Sequence, residues 1–162
     1  MARDLVHSSR RMRIDGPMLN QACAVMPVLR ALPDWFGIEE ALLNYECTID
    51  DLPTFVAHGT DGVGGFLSVT RHFARSAEIY VMGVIHERRR EGIGRRLLEA
   101  AEAWLRDEGV TMLHVKTLGP SRPSAAYRQT RAFYEAMGFV PIEEFSTLWN
   151  EENPALLLVK QL

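Results

Sequence analysis

The sequence predicts an α+β (mixed α/β) domain in which helices cover both faces of a mixed sheet. Short apolar runs typical of strands fill the middle and the end of the chain, and helical periodicity marks four other stretches. One strand–helix–strand unit lies among antiparallel hairpins. The predicted order is one strand, two helices, three strands, a helix, a strand, a helix and two strands. The length of 162 residues suits a single domain over 1–162, with 1–12 as a loose N-terminal segment.

The N-terminal third is predicted to be mainly helical. Asp15-Gly16-Pro17 indicates a turn that leads into a helix, because proline fits the first helical turn. Apolar residues recur at helical spacing over Met18–Leu29, and Pro27 inside that stripe predicts a kink or a break. A second, shorter stripe covers Ile38–Tyr45.

The middle of the chain changes to strand patterns. Thr54–His58 is a short strand candidate, and Asp61-Gly62 is a hairpin turn signal. A longer strand is predicted over Val63–Phe73, where Gly64-Gly65 marks a bulge. The nearly continuous apolar run Ile79–Ile85 predicts a strand that is buried on both faces.

Helices and strands alternate in the remainder of the chain. An apolar helix face runs over Ile93–Leu105 and should stop at Gly109. A second stripe over Ala126–Met137 should be closed by Gly138. Three further strands are predicted, at Met112–Leu118, Phe139–Glu144 and Ala155–Gln161.

Composition and charge favour a cytoplasmic protein that binds a small anionic ligand. The net charge of −3 argues against a nucleic-acid partner, and no apolar run approaches the length of a membrane span. Cys23 and Cys47 are interpreted as reduced core thiols, which is typical of the cytoplasm. Five arginines lie within nine residues, at Arg88, Arg89, Arg90, Arg95 and Arg96, and this local positive charge on an acidic chain suggests a small anionic ligand.

Those arginines surround a glycine loop between a buried strand and an amphipathic helix. The first turn of a helix has free N–H groups and a partial positive charge, and glycines allow a phosphate to approach them closely. Arginine side chains add charge-assisted hydrogen bonds. Leu97 stands where a dinucleotide fingerprint has its third glycine, and no Walker A lysine follows. The strand–loop–helix context favours a diphosphate site over a solvated surface loop.

Two motifs resemble the GNAT superfamily, the N-acetyltransferases that use acetyl-CoA. The first is Arg89-Arg90-Glu91-Gly92-Ile93-Gly94, which matches the family's Arg/Gln-x-x-Gly-x-Gly/Ala loop. The second is Phe133-Tyr134-Glu135-Ala136-Met137-Gly138-Phe139, on the next helix. Finding both in this order is more specific than finding either, and the resemblance covers Arg13 to Leu162. It implies a mostly antiparallel central sheet of about six to seven strands that is splayed in the middle.

The resemblance implies a role for each matching position. Loop N–H groups would hold the pyrophosphate of acetyl-CoA, and the central strand would pair with the pantetheine arm. Tyr134 matches the family's general acid, although periodicity alone would make it a core tyrosine. Tyr127 replaces the asparagine that often contacts the pantetheine arm. The predicted acetyl-CoA contacts are Met82, Gly83, Val84, Arg89, Arg90, Glu91, Gly92, Ile93, Gly94 and Arg95.

The reaction also needs a proton acceptor, because a lysine-like amine with a pKa of about 10.4 is mostly protonated at neutral pH. Glu78 begins the central strand and is the candidate base or water-positioning group, with a solvated strand-end carboxylate as the alternative. His72 is interpreted as non-catalytic, since lone histidines seldom prove catalytic. His58, His86 and His114 lack metal-ligand spacing, so no metal is expected.

The acceptor site is predicted from the N-terminal helices and the last hairpin, which line the acceptor pocket in this family. Trp35, Phe36 and Glu40 would suit a cationic amine through aromatic faces and a negative charge, whereas the alternative is that the two rings only fix their loop to the core. The same predicted acceptor site also includes Glu39, Glu144 and Trp149.

The predicted activity is acetyl transfer from acetyl-CoA to a primary amine by direct attack in a ternary complex. The alternatives are a non-catalytic acyl-CoA-binding regulatory module, or acetylation of a protein N-terminus or an aminoacyl-tRNA, and a homodimer is compatible with the fold.

Overall fold

The structure, a computed structural model, describes residues 12–162. Its strands form one seven-stranded sheet in the order β1-β2-β3-β4-β5-β7-β6. The β4–β5 pair is parallel, whereas β1–β2, β2–β3, β5–β7 and β6–β7 are antiparallel, which confirms the predicted mixed and mostly antiparallel sheet. The elements are β1 (Arg13–Met18), α1 (Ala22–Arg30), α2 (Glu39–Ile49), β2 (Thr54–Gly59), β3 (Gly62–Phe73), β4 (Ser76–Val84), a 3₁₀ turn (His86–Arg88), α3 (Ile93–Asp107), β5 (Met112–Leu118), α4 (Ala125–Ala136), β6 (Val140–Asn150) and β7 (Asn153–Gln161).

The chain divides into two compact units. The first runs up to Ser68 and includes Val81–Ala101, and the second consists of Val69–Tyr80 and Glu102–Leu162. The predicted loose segment 1–12 lies outside the described residues except for Met12, which is buried. Within residues 12–162, no helix combines the length and the apolar character that crossing a bilayer requires.

The first unit is built around the β2–β3 hairpin. Its buried register pair Thr54 and Ser68 share a hydroxyl hydrogen bond of 2.8 Å, which satisfies both polar groups inside the core. The register skips Gly64 between the pairs Ala57–Gly65 and His58–Val63, so the predicted bulge is confirmed. Helices α1 and α2 pack against each other. The largest fully buried side chains of this unit are Leu29, Ile49, Phe55, Phe66, Leu67, Ile93, Leu97 and Leu98.

The second unit contains the parallel pairing of β4 with β5. The register runs from Ser76–Met112 to Ile79–Val115, although both strands continue beyond these pairs. Strand β7 pairs with both β5 and β6, and α4 contacts β5. The fully buried side chains here are Ile79, Leu105, Leu113 and Leu158, and the buried Glu102 carboxylate is paired with Lys160 and Arg106.

The start of α1 differs from the prediction. Gly16 and Pro17 lie inside β1, where the register shifts between Asp15 and Met18, so they do not form a turn that starts the helix. Helix α1 begins later, at Ala22, whose N–H donates to the Asp50 carboxylate at 2.8 Å. A cap supplied from 28 residues away leaves no local sequence signal.

Pro27 and the two cysteines also differ from expectation. Helix α1 continues past Pro27 to Arg30, and the Pro27 carbonyl accepts from Ala31 N–H at 3.1 Å, so the helix is not broken there. Cys23 and Cys47 are free thiols, as expected, but both are exposed. Interpreting them as core residues was wrong, because each lies on the outward side of its helix.

The predicted helix ends and hairpins agree with the structure. Gly109 and Gly138 adopt positive φ angles of 81° and 94° just beyond α3 and α4, which few other residues do without strain. Strand β6 extends well past the predicted end at Glu144, to Asn150. The Asn150 side chain accepts from Asn153 N–H at 2.9 Å and closes the β6–β7 turn.

Candidate active site

The glycine loop has the backbone geometry that an anion-binding loop needs. Arg90 and Gly92 have positive φ angles of 66° and 72°, so the chain turns sharply before α3 begins at Ile93. A Cβ atom added to Gly92 would meet nothing within 4 Å, which shows that the space above the loop is open. Ile93 is buried and fixes the helix start, whose first N–H groups have no intrahelical acceptor. The loop therefore presents backbone donors, with a partial positive charge, to open space.

Arg88 plays a different part from the other loop arginines. Its side chain is only 10% exposed, and its Nη2 donates to Asp61 Oδ2 at 2.8 Å, at the β2–β3 turn. Its Nη1 lies 3.4 Å from a Glu91 carboxylate oxygen. Arg88 thus ties the loop to the hairpin and does not point to solvent, so it does not belong to the exposed positive charge for which the five arginines were counted. A run of arginines carries no local signal that one of them is buried.

Arg89 links the predicted cofactor loop with the predicted acceptor loop inside the first unit. Its guanidinium lies 4.3 Å from the centroid of the Trp35 ring, a cation–π contact. Phe36 packs edge-on against Tyr45, with ring centroids 5.9 Å apart, as expected if it fixes the loop. Glu40 is exposed in the first turn of α2.

The central strand packs closely on α1 where the pantetheine arm is expected. A Cβ atom at Gly83 would lie 3.1 Å from Leu32 and 3.4 Å from Val28, so a side chain there would push on the helix. The neighbouring residues Met82 and Val84 are half-buried. The missing side chain at Gly83 therefore lets the β4 backbone lie against Val28 of α1 and Leu32 just beyond it.

Glu78 lies at the centre of a polar cluster in the second unit. It is opposite His114 in the parallel register, and Lys116, two residues along β5, lies on the same face. Its Oε1 accepts from Lys116 Nζ at 2.7 Å, while its Oε2 faces His72 Nε2 at 2.6 Å and His114 Nε2 at 3.4 Å. The two imidazole rings stack with centroids 5.4 Å apart. The alternative of a solvated strand-end carboxylate is wrong, because Glu78 is only 7% exposed.

The electrostatics of this cluster keep Glu78 ionised. Burial raises the pKa of its carboxyl group, but hydrogen bonds from His114, Lys116 and His72 outweigh burial and lower the pKa to about 2. A carboxylate with that pKa accepts a proton poorly at neutral pH. The side-chain atoms of His72, Glu78 and His114 that can bind a metal all lie within 4.8 Å of one another, a combination that the spacing of the histidines along the chain does not indicate.

Tyr134 lies in an aromatic cluster near the C-terminal end of α4. It is 4% exposed and meets Phe133 and Phe139 edge-on, with ring centroids 5.3 Å and 5.5 Å apart. These contacts match those of a core tyrosine and leave its role as a general acid to experiment. Tyr127, in the first turn of α4, donates its backbone N–H to the Ser124 cap at 3.3 Å, and burial raises the pKa of its phenol despite the nearby Arg122.

Strand β6 lines a hollow of about 300 Å³ formed by residues from Glu143 to Leu148. The Glu144 carboxylate reaches the loop after β5, where it accepts from Ser121 N–H at 3.3 Å. A Cβ atom at Gly119 would lie 2.6 Å from this carboxylate, so the Glu144 side chain would have to move to make room for it. Of the charged groups expected on the acceptor side, Glu144 is therefore already engaged, whereas Glu40 is exposed.

The predicted residues fall into two sets, one in each unit. The first unit holds the glycine loop, the end of β4, Trp35, Phe36 and Glu40, and the second holds Glu78 and Tyr134. Sequence reasoning missed the anchoring role of Arg88 and the convergence of His72, His114 and Lys116 on Glu78. The only available signal for the latter was the βαβ unit, which predicts that β4 and β5 are parallel neighbours but not their register.

Comparison with known proteins gives a consistent result. A family model described as an acetyltransferase (GNAT) domain matches residues 50–141. An uncharacterized N-acetyltransferase of Chlorobaculum tepidum is 36% identical over 90 residues, which cover 56% of this chain and 51% of that protein. The matched part thus spans about half the length of this curated relative.

Solved structures show the same fold. A GNAT-family protein from Desulfovibrio desulfuricans superposes with a TM-score of 0.80 at 20% identity, over 93% of this chain and 98% of that one. A GNAT-family acetyltransferase from Elizabethkingia anophelis, solved with acetyl-CoA bound, has a TM-score of 0.69 at 14% identity, over 94% and 99% of the two chains. Since the family model matches more than half of the sequence, this chain belongs to the GNAT acetyltransferase family.

Proposed function

We propose that this protein transfers an acetyl group from acetyl-CoA to a primary amine by direct attack in a ternary complex. The observation that carries the proposal is the glycine loop, in which Arg90 and Gly92 turn the chain so that the start of α3 faces open space. The acetyl-CoA bound to the relative from Elizabethkingia anophelis supports the choice of ligand.

The loop would bind the CoA pyrophosphate through the backbone N–H groups between Arg89 and Arg95. The partial positive charge at the start of α3 and the exposed side chains of Arg90 and Arg95 favour an anion there. Arg88 acts indirectly, because its contact with Asp61 ties the loop to the β2–β3 turn. The backbone from Met82 to Val84 would pair with the pantetheine arm.

The reaction forms one C–N bond and breaks one C–S bond. The amine nitrogen attacks the thioester carbon, the CoA thiolate leaves, and one proton passes from the amine to solvent or a base. A phenol has a pKa of about 10 and a thiol one of about 8.5, so Tyr134 could donate a hydrogen bond to the leaving sulfur and recover its proton afterwards. The buried position of Tyr134 would keep water from competing for that hydrogen bond.

Glu78 would act as a positioning residue. Its oxygens already face Lys116, His72 and His114, so it has little capacity to take the proton of the amine itself. It instead fixes the imidazole of His72, which is 44% exposed and can receive the proton through water. This assigns His72 a part that the sequence alone did not favour.

Trp35, Phe36 and Glu40 remain the proposed acceptor contacts. The Arg89 guanidinium, 4.3 Å from the centroid of the Trp35 ring, supports the proposal that this ring can contact a cation. The exposed Glu40 can pair with a cationic amine, so Glu40→Gln should raise KM for charged acceptors and leave kcat nearly unchanged. Equal KM values for all amines in both proteins would remove Glu40 from the acceptor site.

The test combines binding with turnover. Calorimetry measures acetyl-CoA affinity, and a free-thiol assay measures turnover against a panel of small amines and peptides. Tyr134→Phe should lower kcat by about 100-fold or more, with the acetyl-CoA Kd unchanged, because general acid catalysis contributes that much. Tyr45→Phe is the matched control, since it removes a phenol from α2 without removing the ring that contacts Phe36.

The outcomes separate the alternatives. Amine-dependent thiol release that falls only in Tyr134→Phe supports the proposed enzyme, and the active amines identify the acceptor class. Full activity in Tyr134→Phe would make Tyr134 a core residue without a chemical part. Tight acetyl-CoA binding without turnover on any amine, peptide or aminoacyl-tRNA would favour the binding module. Failure to bind any acyl-CoA would refute the proposal.

A further inference from the structure

The polar cluster around Glu78 divides the two oxygens of its carboxylate between different partners. Oε1 is paired with Lys116 Nζ at 2.7 Å. Oε2 faces both imidazoles, with His72 Nε2 at 2.6 Å and His114 Nε2 at 3.4 Å. The carboxylate therefore leaves one oxygen beside two histidine nitrogens, while its other oxygen is held in place by a lysine.

Two imidazole nitrogens and one carboxylate oxygen form a donor set that suits divalent transition metals such as Zn²⁺ and Co²⁺. All three donor atoms lie within 4.8 Å of one another. A tetrahedral ion bound at about 2.0–2.1 Å from each ligand needs ligand atoms about 3.4 Å apart. His114 Nε2 already lies 3.4 Å from Glu78 Oε2, whereas His72 Nε2, at 2.6 Å, needs a rotation that moves it away. His72 is 44% exposed and has the freedom to make it, and His114 is 23% exposed.

The surroundings also meet the other needs of such a site. The exposed edge of His72 leaves a path for an ion and for a water molecule as fourth ligand. The backbone register that sets Glu78 opposite His114 fixes two of the ligands on neighbouring strands before any ion arrives. Lys116 opposes binding, because its charge lies beside the same carboxylate.

We propose that His72, Glu78 and His114 form a binding site for a divalent transition metal ion, with Zn²⁺ as the natural candidate. The ion would displace the hydrogen bonds between the imidazoles and Oε2, so His72 could receive the proton of the amine, as proposed above, only in the metal-free protein. This inference does not rest on acetyl transfer, because the binding can be measured without acetyl-CoA.

The test uses the full chain, freed of metal by a chelator and then dialysed. Calorimetric titration with Zn²⁺ should give one ion per chain, and Co²⁺ should produce the visible absorption bands of a tetrahedral complex. His72→Ala and His114→Ala should each weaken Zn²⁺ binding at least about tenfold, whereas His58→Ala, which removes a histidine from the other unit, should leave it unchanged. Lys116→Met should tighten binding at least about tenfold, because it removes the competing charge.

The Lys116→Met variant also excludes misfolding as the explanation for changes in affinity, since a misfolded protein would not bind Zn²⁺ more tightly. Circular dichroism and Tm of each variant without metal provide the second check. Zn²⁺ binding that is lost with either histidine and strengthened without Lys116 supports the site. The proposed site would be overturned if Zn²⁺ binding persisted in the His72→Ala/His114→Ala double variant. It would also be overturned if the wild type bound Zn²⁺ no more tightly than this variant.

Discussion

Arg88 offers a quantitative test of how the glycine loop is held. The substitution Arg88→Met keeps most of the side-chain volume but removes the guanidinium. The contact with Asp61 at 2.8 Å is a charge-assisted hydrogen bond, which contributes about 1.5–3 kcal/mol when well shielded. The contact with Glu91, at 3.4 Å, is too long to add much.

Because the carboxylates that Arg88 contacts are exposed to solvent, its hydrogen bonds contribute less than this. Asp61 is 76% exposed and Glu91 is 41% exposed, so removing Arg88 leaves no buried unpaired charge and avoids the penalty of about 3–5 kcal/mol that such a charge would bring. We therefore expect Arg88→Met to lower the free energy of unfolding by about 1–2 kcal/mol. The loop should also lose its fixed shape, and the Kd for acetyl-CoA should rise by about tenfold, since ordering the loop would then oppose binding.

Urea denaturation followed by tryptophan fluorescence measures the first effect, and calorimetry with acetyl-CoA measures the second. Arg128→Met, at an exposed position of α4, is the control and should change neither. A double-mutant cycle with Asp61→Asn should show coupling of about 1 kcal/mol if the pair acts as described. Unchanged acetyl-CoA affinity in an Arg88→Met protein that is destabilised would refute the idea that this anchor shapes the binding loop.

Three further predictions follow from burial, backbone geometry and charge. Leu97→Ala should destabilise the protein by about 2–5 kcal/mol in urea denaturation, because Leu97 is fully buried, whereas the half-exposed Leu148→Ala should cost less than about 0.5 kcal/mol. Gly92 and Gly62 both have a positive φ and open space around the Cβ position, so Gly92→Ala and Gly62→Ala should each lower the free energy of unfolding by about 1 kcal/mol through backbone strain. Only Gly92→Ala should weaken acetyl-CoA binding. Equal Kd values for the two variants would contradict the assignment of the glycine loop as the binding site. The pKa of Glu78 is about 2, below its ordinary value of 4.5, so the ionised carboxylate stabilises the fold at pH values above 4.5. This stabilisation is lost as the pH falls from 4.5 towards 2. The difference in free energy of unfolding between wild type and Glu78→Gln, measured with chelator, should therefore shrink over that range. A difference that is constant over this range would count against the hydrogen-bonded cluster.

The order of the helices and strands could be predicted from the sequence, because where each element begins and ends depends mainly on residues close to it in the chain. The apolar face that ends at Gly109 and the stripe closed by Gly138 gave correct helices, since a positive φ stops a helix wherever it occurs. The bulge at Gly64 was also predicted from a local signal, because a pair of glycines within a strand indicates irregular backbone.

The features that the sequence did not reveal depend on residues distant along the chain. The cap of α1 comes from Asp50, and without it Asp15-Gly16-Pro17 looks like a helix start. The burial of Arg88 depends on Asp61, 27 residues away. The cluster at Glu78 depends on the register of two parallel strands, which spacing along the chain does not specify.

The position of β6 at the end of the strand order has a consequence for handling the protein. An outermost strand has a row of backbone groups that another chain can pair with, and β6 also exposes Val140, Ile142, Leu148 and Trp149. Pro141 lacks an N–H group, and Glu143 and Glu144 add negative charge, all of which discourage such pairing. The double substitution Glu143→Gln/Glu144→Gln would remove that charge, so the folded variant should be more prone to edge-to-edge aggregation than the wild type.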